Sequence, residues 1–454
     1  MSAVAAPELD VAEERRLVDE LSRPAAMASR LATVAGVEAT SPCRVLDMKY
    51  EARRSCTVLY LVGTVPVTVV AALAGPPPGG AEVTGGMAIG PATTAHAYPA
   101  DPVLTSLPGL LAPGAMAAAL GQALGGTVVT CRTEVLRYRP ARRATFDVRA
   151  HVRHGGATVP RHLIAKVYSN PAKAAAVYDE SLLLAPLLAG AGSTGRAGDD
   201  GPGPDLLVAS PVAFLPEVPM ILQSPVGGVD LESLLTRPPS GRPDRRAPAG
   251  VAAAARALAA LHRLAPVSHR VRSAGKELDR FERRATRIAA VAPAVGARLL
   301  AVRDALADAR ERLPAGPEGL VHGDCKPSQF LVADSTIALL DFDHCGLADP
   351  ASDVGAFLAA LRKSSVIQSR HGPPPPRPAE GSSSRRLEQA FLETYGRCAD
   401  DHLALEGAGL LESRVRWHQA ASLVRKALRA FARAPRSPLA VALADEAERC
   451  LRPA

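Results

Sequence analysis

Aromatic side chains make up only 4% of the 454 residues, with a single tryptophan. A surface that stacks single-stranded bases on regularly spaced rings has little to build from, so no nucleic-acid partner is expected. The formal charge of +8 does not change this, because the basic residues are spread along the chain and form no basic arm. Cysteine is sparse and unpatterned: the seven are odd in number, scattered, and contain no C-x-x-C. That argues against a disulfide framework and a structural zinc site, and fits a reducing cytoplasm. The sequence also lacks H-E-x-x-H, G-x-S-x-G and G-x-x-x-x-G-K-[ST], which disfavours zinc protease, serine hydrolase and P-loop chemistry. Long apolar runs are rare. Residues 57–75 carry no charge, but Gly63 and Pro66 interrupt them and Val and Thr dominate, so two buried strands are expected and no membrane span. The N-terminal stretch MSAVAAPELDVAEERRLVDEL is acidic and amphipathic where a secretory signal would be basic and then apolar. Lysine is the scarcest charge, seven residues against forty-six arginines, so each lysine position is informative.

The length suits two to four domains, and 47% hydrophobic with 22% charged residues is a globular composition. Residues 8–36 read as one or two helices, 43–73 as strands, and 74–115 as a Gly/Pro/Ala-rich passage. The segment KYEARRSCTVLYLV from Lys49 echoes RYRPARRATFDVRAHV from Arg137 when one residue is gapped. Each looks like a strand, a basic turn and a second strand, which is either a repeated hairpin or a coincidence. Strands are expected at 133–139, 144–153, 161–168, 205–213 and 219–224, with a helix at 171–189. After 225 the chain turns helical, at 251–265, 276–312 and 385–450. The proline run and serine cluster at 363–384 suggest a flexible surface insertion. An accessory or capping module over 1–120, a small sheet-rich lobe over 121–225 and a larger helical lobe over 226–454 are therefore expected.

The most informative stretch is GLVHGDCKPSQFLVADSTIALLDFDHCGLADPASDVGAFLAAL, residues 319–361. Two short β-like runs, 330–332 and 337–340, flank a turn at 334–335. Such a hairpin holds Asp324 and Gln329 at one end, and Asp341 emerges at the same end. Convergent oxygen-bearing side chains suit Mg²⁺ on a polyphosphate, because Mg²⁺ takes hard oxygen ligands and retains water. Phosphoryl transfer needs little beyond positioning, charge neutralisation and a carboxylate for the nucleophile's proton.

These motifs resemble the aminoglycoside phosphotransferase and choline kinase-like superfamily, the small-molecule branch of the protein-kinase-like fold. HGDCKPSQ is similar to its catalytic loop, LLDFD to its metal-binding aspartate motif, and LADPASDVGAFLA to its continuation into a helix. The resemblance implies an α+β bilobal fold, a small β-rich lobe and a large helical lobe, here with an N-terminal α/β extension. It implies ATP and Mg²⁺ as cofactors. Asp324 would be the catalytic base, Gln329 and Asp341 the metal ligands, and Asp353 a buried support for the loop. Lys326, two residues after the aspartate, resembles a protein-kinase lysine that contacts the γ-phosphate. Gln329 stands where asparagine is commoner, and maltokinase-like sugar kinases of the superfamily use glutamine there.

The same resemblance calls for an ATP-clamping strand lysine, which Lys166 in LIAKVY supplies, and a helix glutamate to steady it, Glu180 or its neighbour Asp179. RYRPARRATFDV offers no glycine for a phosphate-covering loop, so Arg142 or Arg143 would provide charge. PMILQSPVGGVDLESLL resembles the hinge, with main-chain groups near Gln223 facing adenine. His262 and His322 read as structural groups, His322 bracing the Asp341 backbone, and Asp343 and His344 as second-layer groups or plain turn residues. The implied activity is ATP-dependent phosphorylation of a small-molecule hydroxyl, on a sugar, an aminoglycoside or another amino alcohol. The rival is a pseudokinase, a nucleotide-binding or scaffold module without turnover.

Overall fold

The computed structural model describes residues 9–74, 86–90, 92–192, 205–236, 244–268, 270–334, 336–371, 383–399 and 408–452. Helix α1 (Val11–Ser22) starts at Asp10, whose carboxylate accepts from the N–H groups of Ala12 and Glu13 while the Glu13 side chain accepts from Asp10 N–H. This reciprocal capping satisfies donors that a helix start leaves orphaned. Helix α2 (Pro24–Ala35) opens on a proline and stops at Gly36, whose φ of 66° suits a residue without a Cβ. The uncharged run becomes two antiparallel strands, as expected, and they join a five-stranded sheet. Its strands are β1 (Cys43–Glu51), β2 (Ser55–Val62), β3 (Val65–Ala72), β4 (Met87–Gly90) and β5 (Thr93–Ala97), in the order β1-β2-β3-β5-β4. The last two strands lie in the passage that the sequence left without a pattern. Among the described residues no helix is long and apolar enough to cross a membrane.

Helices α3 (Leu107–Leu110) and α4 (Ala115–Leu124) lead into the second sheet, built from β6 (Thr127–Arg139), β7 (Arg143–His154) and β8 (Ala157–Tyr168). In β7 the residues Ala144, Phe146, Val148, Ala150 and Val152 are all buried, a period-two pattern that fixes which face packs on Leu107, Met116 and Leu120. Helix α5 (Pro171–Gly192) follows. The run expected as one strand at 205–213 is two, β9 (Asp205–Val208) and β10 (Pro211–Leu215), and β11 (Met220–Gln223) completes the sheet in the order β10-β11-β8-β7-β6. The split has a physical cause: Pro211 lacks a donor, and the pairing shifts register just after it, so one continuous ladder cannot form.

The helical lobe begins with β12 (Val229–Asp230), α6 (Leu231–Leu235) and α7 (Ala247–His262). The helical stretch at 276–312 is broken at Pro293 into α8 (Ala274–Val291) and α9 (Pro293–Glu311). Then come β13 (Gly319–Val321), β14 (Phe330–Val332), β15 (Thr336–Leu339) and β16 (Gly346–Ala348). The β14 and β15 pair is the expected hairpin, with Phe330 opposite Leu339, and β9 joins it in parallel. Helix α10 (Ala351–His371) covers the start of the stretch expected as a flexible insertion. Residues 363–371 contain no glycine or proline to stop it; 372–382, where the proline run lies, fall outside the described residues. Helices α11 (Ser383–Cys398), α12 (Ala408–Arg433) and α13 (Leu439–Leu451) close the chain. One apolar cluster joins the first sheet and α1–α2 to α8, α9, α12 and α13, with Met27, Tyr60 and Val69 in the same core as Phe281, Trp417 and Leu443. The first module is thus seated on the helical lobe.

Candidate active site

The loop between β13 and β14 is set by a buried carboxylate. Asp353, at the start of α10 and 1% exposed, accepts from His322 N at 2.5 Å and Gly323 N at 2.9 Å, with His262 Nε2 at 3.3 Å. His262 in turn shares a 2.8 Å hydrogen bond with Tyr395 Oη through Nδ1. Burial disfavours the ionised carboxyl, but His262, His322 and the Gly323 amide outweigh it and lower the Asp353 pKa. Gly323 has a φ of 76°, and a Cβ there would stand 2.1 Å from His344 O, so only glycine fits. On the far side of the loop His322 Nε2 lies 2.8 Å from Leu340 O, and Leu340 N donates to Gln329 O at 2.8 Å. The histidine therefore braces the residue before Asp341, as its sequence context suggested, and the two ends of the hairpin are locked together.

Asp324 is 24% exposed at its side chain and pairs with Lys326, while Gln329 Nε2 lies 3.4 Å from the same carboxylate oxygen. Burial pushes its pKa up, yet Lys326, Arg429 and His322 prevail and hold it down at about 2. The carboxylate opens onto a cavity of about 350 Å³ bordered by the N-terminal end of α8 and by α12. Cys325, next in sequence, is fully buried, and burial lifts its pKa well above the ordinary thiol value; it is not a nucleophile. Burial also lowers His344 to about 4, leaving it neutral at physiological pH.

Asp341 has a φ of 69°, a strained left-handed conformation for a residue with a Cβ. Its two carboxylate oxygens lie 2.7 and 3.1 Å from the guanidinium nitrogens of Arg143, and Lys166 Nζ stands 3.7 Å away. Burial opposes ionisation here too, but Arg143 and Lys166 hold the carboxyl well below the usual range. For Lys166 the balance runs the other way: burial, helped by Arg143, depresses its pKa against the pull of Asp341 and Asp343. Asp343 also takes Arg143 at 2.8 Å, accepts from Tyr168 Oη at 2.9 Å, and has Lys173 Nζ at 3.8 Å. Of Arg142 and Arg143, the second is the one aimed at the site. Arg139 is within electrostatic reach of both Asp324 and Asp341, so the two carboxylates share one neighbourhood.

Glu180 departs from the expected arrangement. It does not meet Lys166; Ser268 Oγ donates to its Oε1 at 2.9 Å and Arg270 Nη2 lies 3.2 Å from Oε2, out of hydrogen-bond alignment. The loop after α7 offers a guanidinium to the glutamate while Asp341 already faces the lysine, so Lys166 is fixed from the helical lobe. Sequence reasoning named Asp343 as a second-layer group or turn residue but not its partners Arg143, Tyr168 and Lys173, although D-F-D puts two carboxylates two positions apart and Tyr168 follows Lys166 by two. Nor did it find the basic lining of the cavity; the signal was there in Lys276 and Lys426, two of the seven lysines.

A protein-family model described as a phosphotransferase enzyme family matches residues 151–402. No curated protein matches the sequence. Among solved structures, the macrolide 2'-phosphotransferase MphH from Brachybacterium faecium is similar at 20% identity over 75% of this chain and 99% of that one, with a TM-score of 0.42. The choline kinase LicA from Streptococcus pneumoniae is similar at 15% identity over 74% and 97%, with a TM-score of 0.44. The aminoglycoside phosphotransferase APH(2")-IIa, solved as a streptomycin–ATP ternary complex, is similar at 9% identity over 75% and 98%, with a TM-score of 0.45.

Proposed function

The chain belongs to the phosphotransferase enzyme family, and we propose that it moves the γ-phosphoryl group of ATP onto a hydroxyl of a small molecule. The observation that carries this is the division of labour at the hairpin end. Asp324 opens onto the cavity beside Lys326, while Asp341 faces Lys166 and Arg143 on the small-lobe sheet.

In this scheme Asp324 orients the acceptor hydroxyl. As the bond from the acceptor oxygen to Pγ forms and the bond to the departing ADP oxygen breaks, the hydroxyl proton passes to the Asp324 carboxylate. A group held at about 2 is a weak base, so the proton moves late, as a loose transition state allows. Lys166 and Arg143 bind the nucleotide's phosphates, and Lys326 offsets charge on the transferred group. The Asp341 carboxylate and Gln329 carboxamide are hard oxygen donors that fit Mg²⁺, which when bound neutralises triphosphate charge. Among the described residues no three His, Cys, Asp or Glu side chains converge to hold a metal alone, so phosphate and water oxygens would complete the shell. Arg143 must release Asp341 for this, and its own guanidinium then suits a phosphate oxygen.

One observation favours the pseudokinase reading: both oxygens of Asp341 are already engaged by Arg143. A thermal-shift series separates the two. Mg²⁺–ATP should raise the melting temperature of the wild type, and Asp341→Ala should abolish the gain. Asp324→Ala should keep the gain and lose ADP release. ATP binding with no ADP release from the wild type across a broad acceptor panel would leave the pseudokinase.

A further inference from the structure

The cavity at Asp324 is a nest of cations. Arg272, Lys276 and Arg280 from the N-terminal side of α8 and Arg425, Lys426 and Arg429 from α12 line it, against two carboxylates, Glu277 and Asp324. Both acids are already committed, Glu277 to Arg425 at 3.0 Å and Asp324 to Lys326. Arg272 spends one nitrogen on His344 O at 3.1 Å. Lys276, Arg280, Lys426 and Arg429 form no ion pair among the described residues.

Six cations over two carboxylates leave an excess of positive charge, with Lys426 half-buried and Lys276, Arg280 and Arg429 at the exposed rim; this raises the free energy of the empty protein, and an arriving anion relieves it. The mutual repulsion is large enough to register. Burial first, then Arg425, Arg429 and Lys363, bring Lys426 down to about 7, and Arg272 and Arg429 are depressed too. The cavity is not the place of the ATP phosphates, because none of its lining residues comes from the small-lobe sheet that carries Lys166 and Arg143. It lies on the acceptor side of Asp324. Helix α12, which supplies three of the six cations, lies beyond residue 402, where the family match ends, so the lining is this chain's own.

We propose that the acceptor is an anion, a hydroxyl compound that also bears a phosphate or carboxylate group, seated by Lys426, Arg429, Lys276 and Arg280 with its hydroxyl toward Asp324. This rests on the kinase reading for the word acceptor, and it sets aside the aminoglycosides and amino alcohols implied by the family resemblance. A polycationic ligand would add to the crowding that an anion removes. The phosphate and carboxylate cases share the chemistry and are told apart by experiment.

The test is calorimetric titration of the full chain, with Mg²⁺–AMP-PNP present to keep free phosphate groups out of the nucleotide site. The probes share a skeleton and differ in charge: glucose 6-phosphate and glucuronate as the two anions, glucose as the neutral member, glucosamine as the cation. At least one anion should bind tenfold or more tighter than glucose and glucosamine. The double variant Lys426→Ala/Arg429→Ala should lose at least tenfold of that affinity while melting no lower than wild type without ligand, because it removes repelling charges. Arg280→Ala, at an exposed position, should lose part of it and guards against a misfolded double variant. Neutral or cationic binding as tight as anionic, anion binding indifferent to these variants, or no anion binding at all would each overturn the proposal. ADP release is followed separately with ATP. Anion selectivity without ADP release in any mixture would sink the kinase reading instead.

Discussion

Replacing Asp353 by alanine tests the link between the buried support and the exposed chemistry. The carboxylate is 1% exposed and accepts from His322 N at 2.5 Å and Gly323 N at 2.9 Å. Truncation leaves two buried backbone donors without a partner, at roughly 1–3 kcal/mol each. It also strands the His262 ring nitrogen that faces the same oxygen at 3.3 Å. A water entering the vacated polar space recovers part of this, so the local cost is about 3 kcal/mol, or about two decades in an opening equilibrium. Hydrogen exchange read by mass spectrometry over 319–326 should therefore accelerate by about 100-fold, with distant segments such as β2 and β3 unchanged. Turnover should fall by a similar factor, because the residue that loses its footing is next but one to Asp324. Asp353→Asn keeps one oxygen but turns an NH₂ toward the other donor, and it should fall between the two. A folded Asp353→Ala protein whose 322–323 amides exchange within threefold of wild type would refute the claim that this carboxylate holds the loop.

Three further outcomes follow from the site. The Asp324 pKa, held at about 2 by Lys326 and its neighbours, lies below the ordinary carboxyl value, so its contribution to stability, about 2 kcal/mol, is present above pH 4 and is lost as pH falls toward 2. Lys326→Met should shrink this contribution and move the acid limb of kcat/KM to higher pH; an unmoved acid limb refutes the pairing. Lys426, brought to about 7 by burial and neighbouring cations, is mostly neutral at pH 8, so an anion bound beside it should draw in a proton. Titration heats at that pH should then differ between Tris and HEPES in proportion to buffer ionisation, and equal heats would refute it. Double-mutant cycles on unfolding should give Lys166–Asp341, 3.7 Å apart, a coupling of about 0.5–1 kcal/mol and Lys166–Glu180 none; a larger value for the second pair would restore the arrangement implied by the family.

What the sequence made legible is what depends on local spacing. Residues 324–341 place their candidate site groups within eighteen residues around one hairpin, so turn chemistry and β-pattern suffice to bring Asp324, Gln329 and Asp341 to one end. The Asp353 support is implied only by the family resemblance, because its partners His322 and Gly323 lie about 30 residues back, out of reach of any local rule. What failed involves partners far apart in the chain, which no periodicity encodes. Glu180 meets Ser268 and Arg270, about 90 residues on and out of reach of any local rule. Arg143 meets Asp341 across 198 residues, and the sequence could say only that a basic turn was present. The extension of α10 to His371 is masked by the composition around it, since a proline run breaks a helix only from its own first residue and says nothing of the residues before it.

The echo between the two hairpins shows how a weak sequence signal becomes physical once its register is known. At each turn a tyrosine hydroxyl donates to an acid, and the same acid accepts the backbone N–H three residues after that tyrosine. Tyr50 and Arg53 N share Glu14 at 2.7 and 2.8 Å; Tyr138 and Ala141 N share Asp101 at 2.6 and 3.0 Å. The third residue has a positive φ in both, 57° at Arg53 and 58° at Ala141, and Glu51 pairs Ser55 as Arg139 pairs Arg143. The correct alignment therefore needs no gap: Ala141 stands where Arg53 does, and Arg143 where Ser55 does. That last correspondence separates the roles. The second hairpin carries at its first returning position the guanidinium that reaches Asp341, while the first carries a short, buried serine. Its Tyr50 ring instead packs 5.8 Å from Phe431 on α12. Phe431 lies on the same helix as Arg429 and Lys426, so the first hairpin packs against the element that carries half of the cavity's cations.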